Sequence, residues 1–249
     1  VPSVFKFSMR CLSELRRTTK RIERGKVGMS RIGDKASAFE VLLAARRIAD
    51  HAKDEGALFD EKHSRTTCEH MGAVLADSVL QAGLNYTTVV RPRVLAILRV
   101  HPTRHTISSL VSLVRDGNAG AFLNWRHHEK VSRFEALVAF MDDWGIDDVK
   151  DLRAGLASEQ FRDAIQTVNG IGPKTVDYMA CLIGLDSIAV DRHVRTFAKL
   201  VGVENDDYHF LHKSFCCAAD LLSLPRREFD AWLWRRAAGS SPVQLTLGV

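Results

Sequence analysis

The chain has no run approaching the ~20 apolar residues of a membrane span, no long alternation of apolar and polar residues, no low-complexity tract and no clear internal repeat. These absences argue, in turn, against a helical membrane protein, a sheet-built core, a disordered or fibrous chain and a solenoid. Cysteine is sparse and unpatterned: Cys11, Cys68, Cys181, Cys216 and Cys217 contain no C-x-x-C pair. Adjacent Cys216 and Cys217 are poorly placed to ligate one metal, so core thiols are expected. With no disulfide framework and no secretory h-region, a reducing, cytoplasmic setting is the expectation. A P-loop signature is missing too. His101 and His105 stand at i, i+4, but Pro102 between them works against a helical zinc pair, and His63, Cys68 and His70 are similarly loose.

What is present suits a globular chain: 249 residues, 46% hydrophobic and 26% charged, enough for one large or two small cores. A net charge of +5 permits a polyanionic partner. That charge is concentrated. Residues 1–35 hold ten Lys and Arg against Glu14, Glu23 and Asp34, a balance of +7 that leaves −2 for the rest. The segment reads either as a solvated basic helix or as an arm for a DNA backbone. Helical periodicity covers nearly everything else, near 36–53, 66–82, 88–99, 106–115, 118–124, 129–143, 147–155, 158–168, 173–183, 192–201, 207–222 and 226–237, with one more stretch at 7–22. Pro92 can move the start of its helix past Thr88. Trp232 and Trp234, at i, i+2, cannot share a helix face, so one is expected to pack and the other to reach the surface, while Phe229, Trp232 and Leu233 read as core. Trp125 reads as packed beside solvated His127 and His128.

The most informative stretch is VNGIGPKTVDYMACLIGLDSIAVDRH, residues 168–193. Before it, Phe161, Ala164, Ile165 and Val168 mark one helical face with Ser158 as the expected N-cap. After it, Val176, Met179, Ala180 and Ile183 repeat the spacing, with Pro173 near the first helical position and Gly184 suited to the residue past the end. Between them Gly170 and Gly172 permit φ > 0 and carry no Cβ. The N–H groups of Ile171, Gly172 and Lys174 would then face outward at a helix N-terminus, a ready anion site, with a DNA phosphate as the expected anion. Lys174 lies on the first turn of that helix; Asp191 follows 17 residues later and opens another, with Val194, Phe197, Ala198 and Val201 in register. Read alone, Lys174 either serves the phosphate or acts as a nucleophile, and Asp191 either caps its helix or supplies a catalytic carboxylate.

Together these residues resemble the helix-hairpin-helix/Gly-Pro-Asp superfamily of base-excision DNA glycosylases, which contains endonuclease III, adenine glycosylase and 8-oxoguanine glycosylase. GIGPKT is similar to the family hairpin in its lysine-bearing form, and AVDRH to the segment with the essential aspartate. At lower specificity, residues 73–98, 127–141 and 221–239 resemble the helices that line and close the damaged-base cleft. The resemblance spans about 70–239. One departure is sharp: where endonuclease III and adenine glycosylase carry four cysteines for an iron–sulfur cluster, this chain reads SSPVQLTLGV, so no cluster is expected.

The resemblance implies an all-α protein of two helical domains with a cleft between them. Residues 1–69 and 187–249 would form one domain, carrying Asp191. Residues 70–186 would form the other, with the helix-hairpin-helix at 158–184 carrying Lys174. It implies a monomer acting on double-stranded DNA that holds a damaged base or an abasic site, nucleoid-associated or nuclear according to its host. Lys174 and Asp191 would be catalytic. Gly170, Ile171, Gly172, Pro173 and Thr175 would meet the backbone, with His193 beside them, and one of Leu84, Asn85 and Tyr86 would fill the vacated stack. The family precedent adds a Na or K ion held by the backbone carbonyls of Gln166, Val168 and Ile171. Lysine at the hairpin implies a bifunctional glycosylase and lyase, and the ACLIGLD that follows leans toward the 8-oxoguanine-type branch. The alternatives are a monofunctional glycosylase using water, a non-catalytic hairpin DNA-binding protein and an unrelated helical adaptor.

Overall fold

The structure is a computed structural model that describes residues 37–57 and 65–239. The basic segment 1–35, its expected helix at 7–22, His63 and the C-terminal SSPVQLTLGV lie outside the described residues. Those described belong to one compact unit that begins at Ser37. All their regular structure is helical. None of the described helices is long and apolar enough to cross a membrane.

The elements are α1 (Ala38–Asp54), α2 (Met71–Leu80), a five-residue π-helix (Tyr86–Val90), α3 (Arg91–Val100), α4 (Ile107–Arg115), α5 (Ala119–Phe122), α6 (His128–Asp143), α7 (Val149–Leu156), α8 (Glu159–Ile165), α9 (Pro173–Leu182), α10 (Arg192–Leu200), α11 (Tyr208–Leu221) and α12 (Arg226–Ala237). Their limits follow local chemistry. Ser37 and Glu40 form a reciprocal capping box at the head of α1, and Asp148 and Asp151 do the same for α7. The periodicity near 88–99 resolves into the π-helix followed by α3, with Pro92 in the first turn of α3. Ser158 occupies the N-cap of α8 as its position suggested, but its hydroxyl makes no capping bond.

Two groups of buried side chains organise the unit. The larger runs from Cys68 to Ile183 and centres on α2, whose ten residues are all buried. With apolar residues around its whole circumference, α2 needs partners on every side. It has them in α3, α4, α6 and α9. Its N-cap is His70, whose Nδ1 accepts the Ala73 N–H at 3.1 Å, so Nε2 carries the proton and donates to the His101 carbonyl at 2.9 Å. Burial lowers the pKa of this ring and favours the neutral tautomer that the cap requires. The second group joins α1, α10, α11 and α12 around Phe197, Phe215 and Phe229. Phe229 and Leu233 are buried as expected, while Trp232 is half-buried and stacks on Phe229 with ring centres 5.7 Å apart.

The stretch between the two groups begins at a Schellman turn. Gly184 has φ +91°, its N–H donates to the Cys181 carbonyl, and the Leu185 N–H reaches back to Ala180 at 2.9 Å. Residues Ile188, Ala189 and Val190 are then buried in non-helical chain that delivers Asp191 to the head of α10.

Candidate functional site

The turn between α8 and α9 is tight because Ile171 N–H bonds the Val168 carbonyl at 2.9 Å and Gly170 takes the left-handed φ of +80°. This corrects two details of the expectation. The Ile171 N–H is spent inside the turn and is not available to an anion. Gly172 is extended, φ −103° and ψ −179°, a conformation open to any residue. The N–H groups of Gly172 and Lys174 bond no acceptor among the described residues, so the anion site at the head of α9 is narrower than the motif suggested. Arg133 of α6 supports the turn from outside: its Nε donates to the Asn169 carbonyl at 3.1 Å, and its guanidinium occupies the space a Cβ on Gly170 would need.

The head of α9 opens on a pocket of about 820 Å³. Gly172, Pro173 and Lys174 form one edge, and Val190, Asp191 and His193 another. The loop after α2, with Leu84, Asn85 and Tyr86, and Trp234 of α12 complete it. Eight of the residues singled out from the sequence thus share one concavity. Gly170, Ile171 and Thr175, also expected at the DNA backbone, do not line it: Gly170 is exposed, while Ile171 and Thr175 are buried.

Lys174 Nζ donates to Gln81 Oε1 at 2.5 Å. Its pKa is lowered, chiefly because burial penalises the ammonium. The carboxylates of Asp191 and Asp230 oppose that shift and Arg192 reinforces it. Asp191 is the N-cap of α10, its Oδ1 accepting the His193 and Val194 N–H groups at 2.7 and 3.1 Å. Its Oδ2 accepts no hydrogen bond among the described residues, so one carboxylate oxygen does structural work and the other is left to the pocket.

Sequence reasoning missed the polar floor. Asp77, on the buried α2, accepts the Tyr178 hydroxyl at 3.0 Å and the Tyr86 hydroxyl at 3.2 Å. Arg65 lies over the Tyr178 ring, its guanidinium carbon 5.7 Å from the ring centre, and pairs with Asp230 at 3.1 Å. Asp230 also receives the Ala189 N–H at 3.0 Å, pinning the chain two residues before Asp191. One signal was available: Asp77 is the lone charged residue of MGAVLADSVL, and a carboxylate in a helix apolar all round is informative. Trp234 completes the wall, edge-on to Tyr86 and His193 with ring centres 5.6 and 5.8 Å away. Of the three loop residues, Tyr86 is thereby tethered into the wall, and Asn85 Oδ1 caps the π-helix through the Thr88 N–H at 3.0 Å. Trp125 lies outside the pocket beneath Arg93, and no group of three metal-ligating side chains occurs among the described residues.

Burial raises the Asp77 carboxyl to about 6, against the pull of both phenols and Arg65. An unfolded Asp releases its proton near pH 3.9. The native state therefore holds one more proton between roughly pH 4 and 6, and stability falls as pH rises through that interval. Asp77→Asn removes this loss, so its melting temperature relative to wild type is expected to climb between pH 4.5 and 7.5, by the equivalent of ~1–3 kcal/mol. A difference that stays flat over that range would mean that the carboxyl titrates normally.

No protein-family model, curated protein or solved structure matches this chain.

Proposed function

We propose that this protein is a DNA repair glycosylase that takes a damaged base out of the duplex, cleaves its N-glycosidic bond and nicks the strand through a Schiff base on Lys174. In this reading α8, its turn and α9 form a helix-hairpin-helix. The two buried groups are two helical domains, one built on residues 70–186 and one on α1 with residues 187–239, and the pocket is the cleft between them. The observation that carries the reading is the meeting in that pocket of Lys174, whose charge burial disfavours, with Asp191, whose Oδ2 is uncommitted.

The chemistry follows from those two groups. Cleaving the glycosidic bond builds positive charge at C1′, and a nearby carboxylate, that of Asp191, stabilises it. The neutral Lys174 lone pair forms a bond to C1′ while the C1′–N bond breaks, its electron pair leaving with the base, which takes up a proton. The amine sheds a proton, the sugar ring opens with a proton to O4′, and an imine remains. Loss of a C2′ proton then expels the 3′ phosphate. A base must leave the stack to reach this depth. Asn85, exposed beside the pocket, is the residue we assign to the vacated space, Tyr86 being held in the wall. The carbonyls of Gln166 and Ile171 accept no hydrogen bond among the described residues and that of Val168 accepts one, so the three oxygens retain capacity for a Na or K ion, which would supply positive charge toward a DNA phosphate.

Borohydride trapping on duplexes carrying oxidised, deaminated or alkylated bases tests the reading. A covalent adduct is the expected result. A mobility shift without adduct or base release points to a silent DNA binder, and no affinity at all points to an adaptor.

Gly172 offers a separate test of the DNA anchor. Its backbone is extended and a Cβ built there meets nothing within 4 Å, so Gly172→Leu is expected to fold and melt like wild type. A side chain there would stand where a phosphate approaches the Gly172 and Lys174 N–H groups. Affinity for damaged and undamaged duplexes alike should drop about 10-fold at fixed salt, since phosphate contacts carry no sequence information. Unchanged titrations with an intact fold would mean that the hairpin is not the anchor.

A further inference from the structure

Gln81 holds the nucleophile and is itself held. It is the first residue after α2, with its N–H on the Asp77 carbonyl at 2.9 Å. Lys130, reaching over from α6, donates to the carbonyls of Val79 at 3.0 Å and Ala82 at 2.8 Å and so clamps the chain on both sides of it. The Gln81 side chain lies in the pocket, its Oε1 2.5 Å from Lys174 Nζ. Its Nε2 is buried without a hydrogen-bond partner among the described residues. Turned the other way round, the amide would set donor against donor before an ammonium and would tie up the lone pair of a neutral amine.

We propose, building on the function above, that Gln81 is the positioning residue of Lys174. Its Oε1 takes one N–H of the amine, which turns the lone pair away from Gln81 and into the pocket. A neutral amide suits this task better than a carboxylate. It accepts from the amine in either protonation state, whereas a carboxylate would add a full charge that keeps the proton on. The charged groups that already act on Lys174 are Asp191 and Asp230, which favour the ammonium, and Arg192 and Lys130, which oppose it. Gln81 adds geometry to that balance without adding charge.

The test is the pH profile of borohydride trapping on a duplex with a pre-formed abasic site, for the full chain and for Gln81→Glu and Gln81→Met. In Gln81→Glu the midpoint should move alkaline by about one pH unit or more, lowering the rate at neutral pH about 10-fold with recovery at high pH. In Gln81→Met, similar in volume but with only a weak thioether acceptor, the midpoint should stay or move acidic while the plateau falls about 10-fold, the amine being no longer aimed. Thermal melts accompany both variants, and if Gln81→Glu does not fold, the Gln81→Met plateau decides. Wild-type midpoints and plateaus in the folded variants overturn the proposal while leaving the glycosylase reading intact. If the wild-type protein itself is never trapped, the functional reading is what fails.

Discussion

Lys174→Ala is expected to lower covalent trapping by more than about 10³-fold while leaving DNA affinity within about 10-fold of wild type. The first figure follows from losing the only group in the proposed scheme that bonds to C1′. The second follows because Ala keeps the backbone N–H groups at the head of α9, and one lysine is a small part of a phosphate interface. The structural cost is small as well. Alanine is a strong helix former, and a buried ammonium is removed at the price of an unsatisfied Gln81 Oε1. Trapping and titration on the same duplex, with a melt beside them, separate these effects. Trapping that survives would place the nucleophile on another amine. Lys130 is a poor substitute, because its ammonium is tied to the Val79 and Ala82 carbonyls.

Asp191→Asn is expected to reduce base removal about 10²–10³-fold, the scale on which one preorganised electrostatic group acts, with the melting temperature nearly unchanged. Asn caps a helix about as well as Asp, and its Oδ1 can keep the His193 and Val194 N–H groups. The direction of the Lys174 shift makes the test sharper. Asp191 favours the ammonium, so removing its charge leaves more of the amine neutral, and lost activity cannot be traced to a lost nucleophile. Trapping on a pre-formed abasic site, where no glycosidic bond has to break, should therefore suffer much less than excision of a damaged base. Near-normal excision by the variant would reduce Asp191 to a cap.

What the residues announced by themselves was local. Helix limits were legible at several turn and cap residues: Ser158, Pro173, Gly184 and Asp191 all sit at the helix ends expected of them, because capping and left-handed φ are decided within a few residues. Gly172 misled for a related reason. Glycine permits a positive φ without requiring it, and here the chain is extended. The spacing of Lys174 and Asp191 suggested a family, and the pocket brings both residues together.

Packing decided the rest. Gln81 meets Lys174 across 93 positions, and Tyr178 meets Asp77 across 101. Arg65 pairs with Asp230 from the far end of the chain. No periodicity encodes such meetings, since a side chain's partner depends on how helices cross. The depressed Lys174 pKa shows the difference: its largest cause is the burial of the amine, which no local pattern along the chain sets. The sequence alone determined that the described residues are helical and where several of their turns and caps lie, because those are set by neighbours along the backbone. Only the tertiary structure decided which polar groups share a buried pocket and how much water each has lost, and those two quantities govern what a lysine and an aspartate can do.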